Sequence, residues 1–159
     1  MPSTARELAE DLQQAPTLWS LLDRRTELTP DAPVLIQAED GRQLTFAELR
    51  AAAERTAAGL YEQGVRAGTR FVWQLPTRIE TAVLTFALAR LGAVQSPVMP
   101  MYRDREVGYA LRETGAEWLA IPGREWRGYD YGALAERVTE GLGSAGSPAS
   151  PSSPHARPR

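Results

Sequence analysis

Apolar side chains recur at helical spacing in the stretch that begins at position 46; they are Phe46, Leu49, Ala53, Ala57 and Leu60. This spacing puts them on one face of a helix. Thr45 and Glu48 have the spacing of a capping box, in which each side chain binds a free backbone N–H at the start of a helix. Gly64 follows the last apolar position and is typical of a helix end. The pattern therefore predicts a helix that begins after Thr45 and ends at Gly64.

Beyond this helix, short stretches with strand character alternate with stretches of helical spacing. The predicted strands span residues 70–75, 93–98 and 118–121. The predicted helices that follow them span about 78–91, 104–114 and 131–140. Residues 78–91 are apolar nearly all round, so this helix is expected to be buried on most sides. The alternation predicts an α/β fold with right-handed crossover helices and a parallel sheet of three or more strands.

The amino-terminal region contains further predicted elements. Thr17 is a suitable N-cap for a helix over residues 18–28. Two short strands, 34–37 and 42–45, flank an acidic turn that ends in Gly41, which predicts a β-hairpin.

The chain is expected to divide into three parts. Residues 1–16 are predicted to form a polar leader helix, and residues 17–142 the α/β unit. Residues 143–159 are rich in Gly, Ser, Pro and Arg and contain no apolar side chain larger than Ala. Burial cannot offset the entropy of ordering such a segment, so we expect a disordered tail.

Composition narrows the range of functions. The 159-residue chain is 43% hydrophobic and has a formal net charge of −2, so it carries no basic footprint for nucleic acid. It has no cysteine, which excludes disulfides, thiolate metal sites and a cysteine nucleophile. All 18 basic residues are arginine, so the chain has no lysine. The amino terminus lacks the order of a signal peptide and the most apolar stretch, 81–91, is too short to span a membrane, so a cytoplasmic location is expected.

Two segments resemble the first two core motifs of the adenylate-forming (AMP-binding) superfamily, which contains acyl-CoA synthetases. They are residues 44–49 (LTFAEL) and 91–100 (LGAVQSPVMP). Matching residues lie between them in the same order, at 58–60, 64–65 and 68–70. The resemblance covers about residues 17–138 and implies the fold of the amino-terminal part of these enzymes.

A finer resemblance concerns residues 99–107 and 126–131, which are similar to segments of cyclohexanecarboxylate and medium-chain acyl-CoA ligases. Such enzymes activate a carboxylic acid with ATP and Mg²⁺ as an acyl-adenylate and then transfer the acyl group to CoA. The resemblance therefore implies an acid–CoA ligase as the intact parent.

The family's catalytic segments have no counterpart in this sequence. These are a Ser/Thr/Gly-rich phosphate loop followed by Pro-Lys, a Tyr-Gly-x-Thr-Glu segment, a ribose-binding Asp and a catalytic lysine. The two matching motifs have scaffold roles, as a helix cap and as a helix stop that leads into a strand. We therefore predict no catalytic, cofactor-binding or metal-binding residue in this chain, no cofactor of its own, and no activity in isolation.

Three functions remain open from the sequence. The chain is a truncated ligase, a non-catalytic module that binds or regulates a full-length ligase, or one half of a split adenylating enzyme. Whether it is itself an enzyme is not decided by the sequence. The expected partner is the remainder of a ligase or a full-length ligase, with no nucleic acid and no membrane span.

Several residues resemble functional motifs but lack the structural context that the function requires. Residues 141–146 spell G-x-G-x-x-G, but they follow a helix and not a strand, which argues against a dinucleotide site. His155 is the single histidine and lies in the predicted tail. The charged runs Arg24-Arg25 and 103–106 are interpreted as solvated helix edges, with pairing between residues four apart at most.

Met99, Met101 and Tyr102 follow a predicted strand, at the end where open α/β sheets bind ligands. In an intact enzyme they are candidates for the acyl pocket. Because Met and aromatic side chains usually fill cores, we expect these three to be buried by packing.

Overall fold

A computed structural model describes residue 9 and residues 12–140. Its helices are α1 Leu18–Leu28, α2 Phe46–Glu62, α3 Ile79–Leu91, α4 Asp104–Thr114 and α5 Tyr131–Thr139. Its strands are β1 Pro33–Ile36, β2 Gln43–Thr45, β3 Arg70–Trp73, β4 Val94–Pro97, β5 Trp118–Ala120, β6 Glu125–Trp126 and β7 Tyr129–Asp130. Most of the predicted leader helix lies outside the described residues, although Ala9, Leu12 and Gln13 are helical. The predicted tail, 143–159, lies wholly outside them.

The predicted parallel sheet is confirmed. Its strand order is β4-β3-β5, and β3 pairs in parallel with both neighbours. The two helices between these strands cover opposite faces of the sheet. Val72 of β3 packs with Val107 and Leu111 of α4, whereas Phe71 packs with Leu88 of α3. Adjacent strand residues point to opposite faces, so this central strand supplies the core on both sides.

Local signals placed the helix ends correctly. Thr45 and Glu48 form the predicted capping box, with Glu48 N–H donating to Thr45 Oγ1 at 3.2 Å and Thr45 N–H to Glu48 Oε2 at 2.8 Å. Gly92 and Gly115 end α3 and α4 with φ of 70° and 59°. An L side chain is strained at such positive φ, and glycine is not.

The amino-terminal hairpin is also confirmed, and it docks on the start of α3. Strands β1 and β2 pair antiparallel. Gln37, just after β1, accepts the Ile79 N–H on its Oε1 at 3.2 Å, and Arg42 contacts Glu80 at 2.6 Å. Arg78, the N-cap of α3, makes no side-chain cap of its own. A residue 42 positions away along the chain therefore caps this helix.

Two features differ from the sequence predictions. Helix α3 is less buried than expected: Ile79, Ala87 and Leu88 are buried, but the apolar side chains at 82–84 and 86 are half-buried. A second hairpin, β6–β7, was not predicted. Its turn residues Arg127 and Gly128 both have positive φ, 50° and 74°, as a two-residue hairpin turn with right-handed strand twist requires. The sequence does not indicate this conformation, because arginine is not typical of positive φ.

Candidate functional site

The carboxyl ends of β3, β4 and β5 lie at one edge of the sheet. From β3 the chain moves to one side through α3 and then crosses to the other side through α4, because β3 lies between β4 and β5. In open α/β sheets, ligands bind outside the carboxyl ends of the strands where the order reverses in this way. We therefore take this edge as the candidate site.

A loop of residues 99–103, the clamped loop, covers this edge just beyond β4. Gln74 follows β3, is fully buried, and donates from Nε2 to Met99 O at 3.0 Å and to Tyr102 O at 2.9 Å. Both partners are carbonyl acceptors, which fixes the orientation of this amide. Gln74 Oε1 is buried and has no hydrogen-bond partner among the described residues. A buried acceptor in that state costs about 1–3 kcal/mol.

Two further side chains hold the same loop. Arg103 Nη1 donates to Pro100 O and to Tyr102 O, each at 2.9 Å, and the guanidinium carbon lies 4.0 Å from the centre of the Tyr129 ring. Tyr131, which is 2% exposed, donates its hydroxyl to Pro100 O at 2.8 Å. Together with Gln74 they bind the carbonyls of Met99, Pro100 and Tyr102. The loop backbone is therefore held from outside by the buried side chains of Gln74 and Tyr131, and from within the loop by the exposed side chain of Arg103.

The prediction that Met99, Met101 and Tyr102 pack in the core is wrong. They are 51%, 69% and 38% exposed. The buried side chains of Gln74 and Tyr131 engage the loop's backbone carbonyls, and its own apolar side chains project outward. The composition rule fails here because hydrogen bonding to the backbone decides which side of the loop faces the interior.

The charged run that follows the loop is also more structured than predicted. Arg137 on α5 makes a two-pronged ion pair with Asp104, at 2.5 Å from Nε and 3.0 Å from Nη2. The hydrogen bonds from Arg137 lower the pKa of Asp104 below its ordinary value, and they raise the pKa of Arg137. The pair joins the start of α4 to α5 across 33 positions of sequence, so pairing is not limited to residues four apart.

The other predicted charged edge, Arg24-Arg25, is partly confirmed. Arg24 pairs with Glu27 one turn away, at 2.9 Å. Arg25 instead lies over the ring of Phe46, 4.5 Å from its centre, and so helps to join α1 to α2.

Helix starts are the usual places where backbone N–H groups bind phosphate. Each of α1 to α5 has a side-chain acceptor on a backbone N–H at its start; the acceptors are Thr17, Thr45, Gln37, Glu106 and Asp130 in that order. A carboxylate also stands in the first turn of α2, α3 and α4, from Glu48, Glu80 and Asp104. These acids oppose an incoming anion. Each of these five starts thus has a backbone N–H already bound by a side chain, and four of them, α2 to α5, also carry a carboxylate.

An open groove of about 530 Å³ runs between the hairpin and α3, with Leu35, Ile36, Trp73 and Leu75 among its apolar lining. Two of its polar side chains are already used: Gln37 caps α3, and Thr81 Oγ1 donates to Pro76 O at 2.6 Å.

Three other kinds of candidate site concern metal ions, membranes and dinucleotides. Within residues 12–140, no group of three or more His, Cys, Asp or Glu side chains could hold a metal ion. None of the helices in that part of the chain is long and apolar enough to cross a membrane. The G-x-G-x-x-G run at 141–146 and His155 lie outside the described residues.

Comparisons with known proteins agree with the fold. A sequence profile of the AMP-binding enzyme family matches residues 22–151. The chain is 33% identical over 137 residues to 2-hydroxy-7-methoxy-5-methyl-1-naphthoate–CoA ligase of Streptomyces carzinostaticus, covering 86% of this chain and 24% of that protein. It is 32% identical over 109 residues to the mitochondrial medium-chain acyl-CoA ligase of Danio rerio, covering 69% and 18% respectively.

Among solved structures, the amino-terminal subdomain of NpsA from Klebsiella oxytoca superposes with a TM-score of 0.62 at 26% identity, covering 77% of this chain and 33% of that one. The chain spans about a fifth of the length of the curated relatives it matches. The expected superfamily is therefore confirmed: this chain belongs to the AMP-binding enzyme family and has the fold of the amino-terminal subdomain of those enzymes.

Proposed function

We propose that this chain is the amino-terminal structural part of an ATP-dependent acid–CoA ligase and that it forms no acyl-adenylate by itself. The observation that carries the proposal is the state of its helix starts. Each of α1 to α5 has a side-chain acceptor at its start, and three carry a carboxylate in the first turn. The described residues therefore offer no ready cradle for a triphosphate.

The chemistry of adenylation requires such a phosphate site. Adenylation brings an anionic carboxylate against the α-phosphate, and negative charge grows on the phosphoryl oxygens as the bond forms. Aligned donors and cations must stabilise that charge, and removing one such donor typically costs about a hundredfold to a thousandfold in rate. The chain has no lysine, and the planar fork of arginine presents its charge differently from an ammonium group.

The names of the relatives suggest which acids to test. Aromatic and medium-chain acids are the substrates named for the two ligases compared above. The direct experiment is ATP–pyrophosphate exchange with the purified chain, using benzoate, cyclohexanecarboxylate and medium-chain fatty acids. We expect exchange at background level with every acid. Exchange that persists at constant specific activity through further purification would refute the proposal.

The exposed side chains of the clamped loop favour one alternative, half of a split enzyme. A structural part that works only after assembly should display apolar side chains where the other part binds, as Met99 and Met101 do. In that case exchange appears when a second polypeptide that carries the remaining segments is added. Exchange that stays at background after this addition would favour a non-catalytic module.

A further inference from the structure

The groove between the amino-terminal hairpin and α3 presents apolar side chains to solvent. Leu35, Trp73 and Leu75 are half-buried along it, and Ile36 is 68% exposed. The Trp73 ring is held in place, because its Nε1 donates to Gln95 Oε1 at 3.3 Å. A groove with an aromatic side chain in its wall is the kind of surface that binds a proline-rich segment in an extended conformation.

Two charged residues that line the groove are available for a ligand. Within the described part of the chain, the side chain of neither Glu39 nor Arg78 makes a hydrogen bond or an ion pair, and both are exposed. The guanidinium of Arg78 can donate to carbonyl oxygens, and the carboxylate of Glu39 can pair with a cation. The groove therefore fits an apolar segment that offers backbone carbonyls and has a positive charge beside it.

The carboxyl-terminal residues of this chain have these properties. Pro148, Pro151 and Pro154 are three positions apart, and a polyproline II helix has three residues per turn. In that conformation the three rings share one face. Because proline has no N–H, such a segment offers more acceptors than donors. The sequence from 143 onward contains no Asp or Glu, and Arg157 follows the three prolines.

The chain is long enough to reach the groove from the end of α5. Arg137 of α5 binds Asp104 at the start of α4, at the carboxyl end of the sheet, and both helices lie on one face. Trp73, the last residue of β3, places the groove at the same end but on the α3 face. Pro148 is eight positions after Glu140, which is about 26 Å of extended chain. Packed layers are about 10 Å apart, so this length is enough to pass from one face to the other.

We propose that residues 148–154 bind in this groove in the polyproline II conformation, with their proline rings against Trp73 and Ile36. Arg157 then lies close to Glu39. The proposal goes beyond the proposed function and does not depend on it, since it concerns a contact within the chain.

The energetics of such a contact differ from those of the segment alone. The expectation of a disordered tail considered only burial within the tail, whereas the groove supplies apolar surface from another part of the chain. Proline also has less conformational entropy to lose when it is ordered. A segment on a short tether has an effective concentration in the millimolar range, so an intrinsic Kd below about 1 mM is enough to fill the groove.

A spin label beside the prolines tests this proposal by NMR. Because the chain has no cysteine, Ser152→Cys gives the full chain a single site for a nitroxide label. We expect the label to enhance the relaxation of the Ile36 and Ala82 amides, beside the groove, at least about fivefold more than that of Gly115 at the opposite end of the sheet. Equal enhancement at the three amides, or none, would overturn the proposal. Enhancement that passes from a labelled chain to a separate ¹⁵N chain would also overturn it, since the occupant would then be a second copy.

Substitutions in the labelled chain provide matched controls on both sides of the contact. Pro151→Gly combined with Pro154→Gly should reduce the enhancement at the groove amides at least about fivefold, whereas Pro158→Gly, which is off the shared face, should leave it unchanged. In the groove, Ile36→Ser should also reduce it, whereas Tyr109→Ser should not, because Tyr109 is 59% exposed but lies on α4. Enhancement that survives the double proline substitution, or that Tyr109→Ser reduces as much as Ile36→Ser does, would refute a contact through the proline face.

Discussion

Substitution of Gln74 separates the two opposite contributions of this buried amide to stability. Its Nε2 makes two hydrogen bonds, each worth about 0.5–1.5 kcal/mol, to Met99 O and Tyr102 O. Its Oε1 is buried without a partner among the described residues, at a cost of about 1–3 kcal/mol. The two contributions nearly cancel. We therefore expect Gln74→Met, which fills a similar volume with no polar atom, to change the free energy of unfolding by less than about 1 kcal/mol.

In Gln74→Met the two loop carbonyls keep other hydrogen-bond partners, so the loss of stability is expected to be small. Tyr102 O still accepts from Arg103, and Met99 O still accepts the Tyr102 N–H at 3.0 Å. Gln74→Ala differs because it leaves a cavity, and cavities of this size cost about 2–5 kcal/mol. The two variants should therefore differ by about 2 kcal/mol or more.

Gln74→Glu gives an independent check through pH. A carboxylate at this position faces two carbonyl oxygens and has no donor, whereas the protonated acid can donate to one of them. Burial raises the pKa of such a carboxyl above its unfolded value, so the loss of stability is largest at pH 7. It should diminish as the pH falls through the folded-state pKa toward the unfolded value of about 4.3.

Urea unfolding followed by circular dichroism measures all three variants against the wild type, with the slope of each transition checked for two-state behaviour. A Gln74→Met variant that loses as much stability as Gln74→Ala would refute the reasoning. It would mean that Oε1 has a strong partner in solution, such as an internal water, and that the amide is a net stabilising group.

Two further predictions concern local features. Asp104→Asn should make the free energy of unfolding depend less on pH in the acid range. Because Arg137 lowers the pKa of Asp104, the carboxylate stabilises the fold above its unfolded pKa of about 3.9. This stability is lost as the pH falls through the lower folded-state pKa. Urea midpoints between about pH 5 and pH 2 measure it, and parallel profiles for wild type and variant would contradict it. Gly59→Ala and Gly92→Ala should change the thermal stability of the chain in opposite directions. Gly59 lies inside α2 with nothing within 4 Å of an added Cβ, whereas Gly92 has a φ of 70°. We expect a gain of about 0.5–1 kcal/mol for the first and a loss of about 1 kcal/mol for the second, and a gain in both would show that the strain at Gly92 is absent.

The parts of the fold that the sequence predicts are those determined by neighbouring residues. The capping box at Thr45 and Glu48 and the glycine that ends α4, Gly115, act within one helical turn, so spacing alone indicates them. The hairpin turn at Arg127 escapes prediction because arginine has no preference for positive φ. Its conformation depends on the strands that it joins.

The candidate site depends on contacts that spacing cannot reveal. Gln74 binds carbonyls 25 and 28 positions later in the chain. Asp104 pairs with Arg137 33 positions away. Each contact exists only once α3, α4 and α5 have brought the strand ends together. The exposure of Met101 follows from these contacts, which is why a rule based on residue type alone placed it in the core.

Titration of Mg²⁺–ATP into the purified full chain, followed by calorimetry, tests the central claim most directly. Enzymes usually bind their substrates with constants between about 1 μM and 1 mM. If the occupied helix starts leave no place for a triphosphate, the titration shows only heats of dilution up to about 5 mM nucleotide, well above that range. Saturable binding of one nucleotide per chain with a Kd below about 1 mM would contradict the proposed function, because this part of the enzyme would then carry a phosphate site of its own.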